Sequence, residues 1–411
     1  QLFRHHTAAH GQWPKRTGRV HDDTLNLGRN PQYGLTVSVN ASDGRSAAVW
    51  VLLSRHTVRK DQGKDDYLTV HVAKERGGYR VYYMETIWMQ GVYSNRPHCL
   101  VKLDLPPGTH RLTLVLAQYK AVTHQVDYTL EIFSMATFSM KKLPFCLKQV
   151  ERVGGSWKGV TAGGCSNYDT HVDCPRYSLA LEHPTDLQVE LESHEVAFPV
   201  GLQLRHEADP RGKPIGSSGN YRRGFSLLEA RAVPAGRYTL TVSTFEPKQE
   251  SGFTLTVGSS VPLTLRLHND GTLGQARQVL LGEWSTSAGT AAGSPNHGAF
   301  HKNPQACLSV AQPAEVTLRL RCPNRVAQRP SGLSLSIFGQ PQPLTADWHT
   351  SKKLATSNDG NYAYPVGGVA IPRVRLAAGS YICVISTFDP TNAPFELIAH
   401  APEGTLRLRL L

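Results

Sequence analysis

The sequence has no apolar stretch approaching the roughly 18 uncharged residues that cross a bilayer, which excludes a membrane-spanning helix within these 411 residues. It has almost no segment of helical periodicity, which excludes helical bundles and doubly wound α/β folds. Cysteine is sparse. The seven thiols (Cys99, Cys146, Cys165, Cys174, Cys307, Cys322 and Cys383) are odd in number, scattered, and form no metal-type pairs. That usage reads as free thiols in a reducing compartment. Acidic residues are outnumbered, and the formal net charge is +12. The excess suits acidic partners. Its basic residues are not interleaved with aromatics along one face, so nucleic acid is not an expected partner. No signal-peptide pattern is present, and the chain begins at Gln1 without Met, so an excised fragment is expected.

What is present is repetition. Residues 231–257 and 374–399 share one block: a small-residue turn (Ala235-Gly236, Ala378-Gly379), an alternating apolar strand, a polar loop and a second strand. Residues 103–132 hold a looser copy at Pro107-Gly108. Upstream of each block stands Gly-x-Trp, at Gly11–Trp13, Gly155–Trp157 and Gly282–Trp284. The tryptophans are 144 and 127 residues apart, so the repeating unit is a domain and not a short solenoid turn. A further strand follows each block, at 138–142, 262–267 and 405–410. Period-2 alternation at 35–39, 187–191, 316–321 and 333–337, broken by turns such as Asn269-Asp270-Gly271, predicts an all-β chain. The expectation is three tandem antiparallel β-sandwiches over 1–143, 144–271 and 272–411, the third more divergent, packed in a fixed row by short linkers. Large aromatics favour cores, so the three repeated tryptophans are expected to plug them.

Chemistry is thin. Cys165, on the turn Ala162-Gly163-Gly164-Cys165, is the one nucleophile candidate, and a tight turn before a strand accounts for it without chemistry. The eighteen histidines show no ligand spacing. Calcium requires converging oxygens, for which Asp22, Asp23, Asp61, Asp65 and Asp66 are the candidates. Arg205, Arg211, Lys213, Arg222 and Arg223 are the candidate patch for an acidic membrane or partner, provided their loops share one rim. Arg55-His56 and Arg205-His206 read as the ends of equivalent strands. Trp50, Trp88 and Trp348 are the aromatics that a carbohydrate platform would draw on.

Several of these pieces resemble the C2-like β-sandwich (domain III) of calpains: Gly155–Trp157 with Thr161–Cys165, the Asn30–Tyr33 strand entrance, and the blocks ending Ser243–Pro247 and Ser386–Pro390. The run 47–56 followed by Lys60-Asp61, and 142–146 leading into Gly155, resemble the PalB type in particular. The resemblance covers the first two units and is weaker in the third, where Ala291-Ala292-Gly293-Ser294 replaces the Cys-bearing turn. It implies a papain-like cysteine protease as parent. The family's Gln-x5-Cys-Trp, His-Ala-Tyr and Asn-Pro-Trp segments have no counterpart here, so no catalytic residue is expected in this chain. The implied role is a non-catalytic regulatory and scaffolding region without a resident cofactor, in the cytoplasm and at endosomal membranes. Its implied partners are the protease core of the same polypeptide, ESCRT-III-type proteins and acidic membrane. The alternative is a stand-alone array that binds acidic phospholipid.

Overall fold

Three successive stretches of alternating sequence each bury one face of two sheets against each other, and the chain is all-β, with no helix of seven residues or more among the described residues. The computed structural model describes residues 3–13, 23–40, 44–56, 67–75, 77–119, 125–145, 147–209, 212–323 and 330–411. In the first sandwich a four-stranded sheet runs His5–Trp13, Val126–Ser134, Ala47–Arg55, His98–Leu105. It faces a five-stranded sheet ordered Ile87–Met89, Tyr67–Ala73, Gly108–Tyr119, Gln32–Val39, Thr137–Lys142. The second sandwich repeats this with Gln149–Trp157, Ser251–Ser259, Thr185–Ser193 and Phe225–Val233 in its four-stranded sheet. The third does so with Ala276–Trp284, Ala393–Ala401, Ala314–Arg321 and Val369–Leu376. All pairings are antiparallel, and each sandwich encloses its own apolar core. The late strands seen in the sequence, Thr137–Lys142, Leu263–Leu267 and Leu406–Leu410, form an edge of the larger sheet in each sandwich, five-stranded in the outer two and six-stranded in the second.

The repeated Gly-x-Trp has one structural cause in all three copies. Trp13, Trp157 and Trp284 are each 1% exposed. Each indole N–H donates to a carbonyl of the facing sheet, that of Leu116 (3.1 Å), Val242 (3.1 Å) and Ile385 (2.8 Å). Those three residues are themselves equivalent, because the backbone N–H of each donates to the carbonyl of the strand-entrance proline, Pro31, Pro175 or Pro304. Each indole packs on an aromatic ring of the neighbouring strand, Tyr128, Phe253 or Phe395, at 4.5, 4.6 and 4.9 Å. The glycine two residues before each tryptophan lies against that same ring: a Cβ on Gly11, Gly155 or Gly282 would stand 2.3–2.5 Å from it. Buried indole nitrogens need a partner, and here the motif supplies both the plug and the space for it.

A second device recurs in the outer sandwiches alone. Gln32 donates to the carbonyls of Leu27 (3.0 Å) and Val81 (2.7 Å) and accepts from Val81 N (2.8 Å). Gln305 does the same with His301, Leu344 and Leu344 N. A side-chain amide thereby acts as one more strand residue that holds the crossing loop. Replacing Gln305 with alanine should lower the unfolding free energy of the third sandwich by about 1–3 kcal/mol, since it strands two carbonyls and an amide in the interior; urea denaturation followed by intrinsic fluorescence reads the change. The middle sandwich has Arg176 at this position, and Arg176 instead pairs with Asp270 (2.5 Å) in the segment leading to the third sandwich.

One expectation is corrected. Arg55-His56 closes a strand of a four-stranded sheet, whereas Arg205-His206 closes Pro199–His206, which pairs with Gly236–Thr244 in the opposite sheet. The counterpart of Pro199–His206 is Tyr67–Ala73, which pairs with Gly108–Tyr119. Similar residue pairs at strand ends do not reveal which sheet a strand joins.

Candidate functional site

Strand alternation sends Val316, Leu318 and Leu320 into the core of the third sandwich and Thr317, Arg319 and Arg321 to the outer face of its four-stranded sheet. That face is covered by the second sandwich. Arg321, with 4% of its side chain exposed, donates Nη1 to Asp173 Oδ2 (2.7 Å) across the junction and Nε to Glu396 Oε2 (2.8 Å) within its own sheet. Asp169, from the same short 3-10 turn as Asp173, accepts from Tyr364 Oη (2.9 Å) and from Gly367 N (2.8 Å). Gly367 lies at φ 86°, and a Cβ there would stand 2.4 Å from Val172 Cγ1, so the missing side chain makes room for Val172 of the second sandwich. Arg319, half-buried beside Arg321, donates to the Gly367 carbonyl (3.2 Å), and desolvation works against its charge.

The first junction uses the same surfaces. Leu187, Val189 and Leu191 face the core of the second sandwich, which turns Gln188, Glu190 and Glu192 outward toward the first. Arg29 pairs with Glu192 and lies 3.6 Å from Glu190. Burial raises the Glu190 carboxyl while Arg29 pulls it back down. Tyr82 stacks on Phe225 with a 14° interplanar angle, Gln188 bonds the Tyr82 hydroxyl, and Tyr83 Oη accepts from Leu227 N (2.9 Å). Arg80 fastens the end of the first sandwich by donating to the carbonyls of Gly28, Asn30, Leu143 and Pro144.

The two junctions are position-equivalent. Arg29 and Asp173 each precede by two residues the proline of the repeated strand entrance, Pro31 and Pro175. Glu192 and Arg321 occupy one strand position, because each pairs with the residue three beyond the tryptophan's register partner: Thr254 counts from Ser251, Glu396 from Ala393. The same contact is therefore made twice with its charges inverted, Arg29 to Glu192 and then Asp173 to Arg321.

The candidate residues from the sequence are placed as follows. Arg222 enters the first junction, with its guanidinium 4.2 Å over the Tyr83 ring and 3.6 Å from Glu85. Its register partner is Val200, whereas Arg205 lies five residues along the same strand and donates to the Gly212 carbonyl. That spacing is about 17 Å of extended chain, so the two arginines stand at opposite ends of the strand. Lys213 and Arg223 are exposed; Arg211 lies outside the described residues. Asp23 is buried, and its oxygens accept from Asn30 Nδ2 (2.7 Å) and Tyr93 Oη (3.1 Å). Asp22, Asp61, Asp65 and Asp66 lie outside the described residues. No group of three His, Cys, Asp or Glu side chains suited to a metal forms among the described residues. Cys165 is buried, and burial pushes its thiol up. Thr170 Oγ1 and His171 Nδ1 bond the carbonyls of Gly163 (2.6 Å) and Gly164 (2.8 Å), so the nearby polar groups tie the turn. Trp88 is exposed under Lys74, Trp348 packs on Phe300, and Trp50 is half-buried on the first sandwich's outer face.

Asp23 ends a buried relay. Tyr93 Oη lies 3.2 Å from His71 Nε2, and His71 Nδ1 accepts from Gly91 N (3.1 Å). Burial lowers His71 from 6.5 to about 4. The unfolded chain therefore takes up this proton at a higher pH than the folded one. Stability should be full above about pH 6.5 and fall as pH drops toward 4. His71→Gln should flatten that part of the profile, as read by urea midpoints across pH.

The junction residues were not singled out in the sequence. Their signal was there: charged residues alternate with Leu and Val at 187–192 and 316–321, at equivalent positions and with opposite sign.

Tandem sandwiches with charge-paired junctions define a multi-domain β array, for which comparison with known proteins finds relatives. The chain is homologous to calpain-7 and to the PalB/RIM13 calpain-like proteases. It is 37% identical to calpain-7 of Mus musculus over 272 residues, 64% of this chain and 33% of that protein. It is 26% identical to the calpain-like protease palB/RIM13 of Cryptococcus neoformans over 406 residues, 94% of this chain and 48% of that protein. It is 30% identical to palB of Emericella nidulans over 272 residues, 63% of this chain and 31% of that one. The chain thus spans about a third to a half of the length of these relatives. No family model matches it. Among solved structures, PNGase F of Flavobacterium meningosepticum overlays with a TM-score of 0.21 at 9% identity, over 63% of this chain and 99% of that one, too low to indicate a common fold. No helix among the described residues is long and apolar enough to cross a membrane.

Proposed function

We propose that this chain is the non-catalytic, C2-like regulatory and scaffolding region of a PalB-type calpain-like cysteine protease. It braces the protease core of its own polypeptide and offers docking surface to a partner, of ESCRT-III type or an acidic membrane, in the cytoplasm and at endosomes. The observation that carries the reading is the pair of position-equivalent, charge-inverted junctions in a chain homologous to calpain-like proteases. Sandwiches bound only by flexible linkers would tumble independently, whereas an ion pair at each junction, half-buried at Arg29 and buried at Arg321, makes one rigid strut. The test is deletion of the region from the intact parent protease. The expected result is loss of cleavage with a parent that still expresses; full activity without the region overturns the reading. The phospholipid alternative is favoured by exposed Lys213 and Arg223 on a strongly basic chain. Co-sedimentation with anionic vesicles, with and without calcium and at two salt concentrations, decides between them. Salt-sensitive binding abolished by Lys213→Glu with Arg223→Glu would replace the strut reading with the membrane one.

A further inference from the structure

The outer four-stranded face of the second sandwich receives the first sandwich, and that of the third receives the second. Among the described residues, no other sandwich is seated on the corresponding face of the first. Its residues follow from the same register. Val49, Val51 and Leu53 enter the core, and Trp50, Leu52 and Ser54 point outward. Ser54 pairs with Thr129, the third residue beyond Trp13's partner Val126, so Ser54 holds the position of Glu192 and Arg321. Leu52 holds that of Glu190 and Arg319. At the centre of the face Phe133 and Trp50 stand side by side in register, with Phe3 packed on both rings and Lys102 Nζ 4.5 Å over Trp50, and Leu100, across from Leu52, is 44% exposed. Around the Ser54 position stand three imidazoles. His10 Nδ1 (2.9 Å) and His56 Nε2 (2.7 Å) both bond Thr129 Oγ1, and His98 Nδ1 bonds Ser54 Oγ (2.9 Å).

We propose that this face is the docking surface through which the array receives a folded neighbour from the rest of its parent polypeptide, a neighbour that brings a carboxylate to Ser54 and an apolar or aromatic side chain to Trp50 and Leu52. The inference rests on the strut reading above. The internal repeat carries it: two of three equivalent faces are filled by a folded unit, each through one charged side chain at this position. Ser54 and its histidines can donate hydrogen bonds to an incoming carboxylate. This chain spans 33–48% of the length of its relatives, which leaves further polypeptide in such a parent to supply the neighbour. The residue equivalent to Arg29 and Asp173 at the free end of the third sandwich is Lys302, two before Pro304 and exposed. In a head-to-tail contact between two copies, Lys302 is therefore the residue that would be brought to Ser54.

Hydroxyl-radical footprinting of the intact parent protein against this 411-residue chain tests the proposal. Oxidation of Trp50 and Leu100 should fall several-fold in the parent, with Trp88 as the exposed reference. In the parent, Ser54→Glu should restore Trp50 oxidation to the level of the isolated chain, and Ser54→Arg should leave it protected. Protection appearing elsewhere while Trp50 stays reactive overturns this surface and leaves the strut reading standing. No protection anywhere on the array overturns both. Exposure by Ser54→Arg but not by Ser54→Glu means a basic neighbour and overturns the assignment. So does concentration-dependent protection of Trp50 in the isolated chain, which would make a second copy the occupant.

Discussion

Replacing Trp157 with alanine should destabilise the second sandwich by about 3–5 kcal/mol, the range for emptying a fully buried aromatic site. The size follows from three losses at one position. The indole leaves its packing on Phe253, the Val242 carbonyl loses a donor, and the cavity is floored by Gly155, which has no side chain to move in. Trp157→Phe separates the terms: it keeps much of the apolar volume and should cost about 1–3 kcal/mol for the orphaned carbonyl with some repacking. Gly155→Ala drives a methyl into the Phe253 ring and should cost a similar amount by overpacking. The array has several cores, so the measurement is a denaturation curve fitted with more than one transition. The second transition should move and the others should stay. A uniform shift, or none, would mean that the tryptophan does not hold its own sandwich.

Arg321→Ala should have the next largest effect, about 3–5 kcal/mol, because it leaves Asp173 and Glu396 partly buried beside each other without their cation. This loss is felt at the junction more than within one core. The expected signature is an increased radius of gyration in solution scattering and new proteolytic cleavage in 268–275, with the third sandwich still folded. Arg321→Met should cost less if paired with Asp173→Leu, since removing both charges removes the orphan as well. A variant as compact and protease-resistant as the wild type would show that Tyr364, Gly367 and Asp169 suffice to hold the junction.

Much of this architecture is legible in the sequence because its causes are local or repeated. Alternation at 187–191 and 316–321 gives strands, and three Gly-x-Trp steps give three plugs. Arg222, a candidate for a basic patch, lies at the first junction, and its place there was not legible for a physical reason. A basic residue is read as solvated until its partners are known, and the partners of Arg222, Glu85 and Tyr83, lie about 140 residues away in another sandwich. The junction charges were hidden for the same reason. Glu190 and Glu192 look like the wet side of a strand, and only the docked neighbour makes that side an interior. His71 was one of eighteen histidines in the sequence; its burial depends on Tyr93 and Asp23, which converge from separate loops.

The pairing of first strands with late ones sets a schedule for synthesis. His5–Trp13 waits for Val126–Ser134, and Gln149–Trp157 waits for Ser251–Ser259. At about 5–20 residues per second on the ribosome, each opening strand, with its tryptophan, is made several seconds before the strand that covers it. The chain passes through this interval three times. In the second and third passages the newest sandwich is incomplete while the previous one already presents the turn that will seat upon it, so the finished part of the array can act as a template for the part still being made.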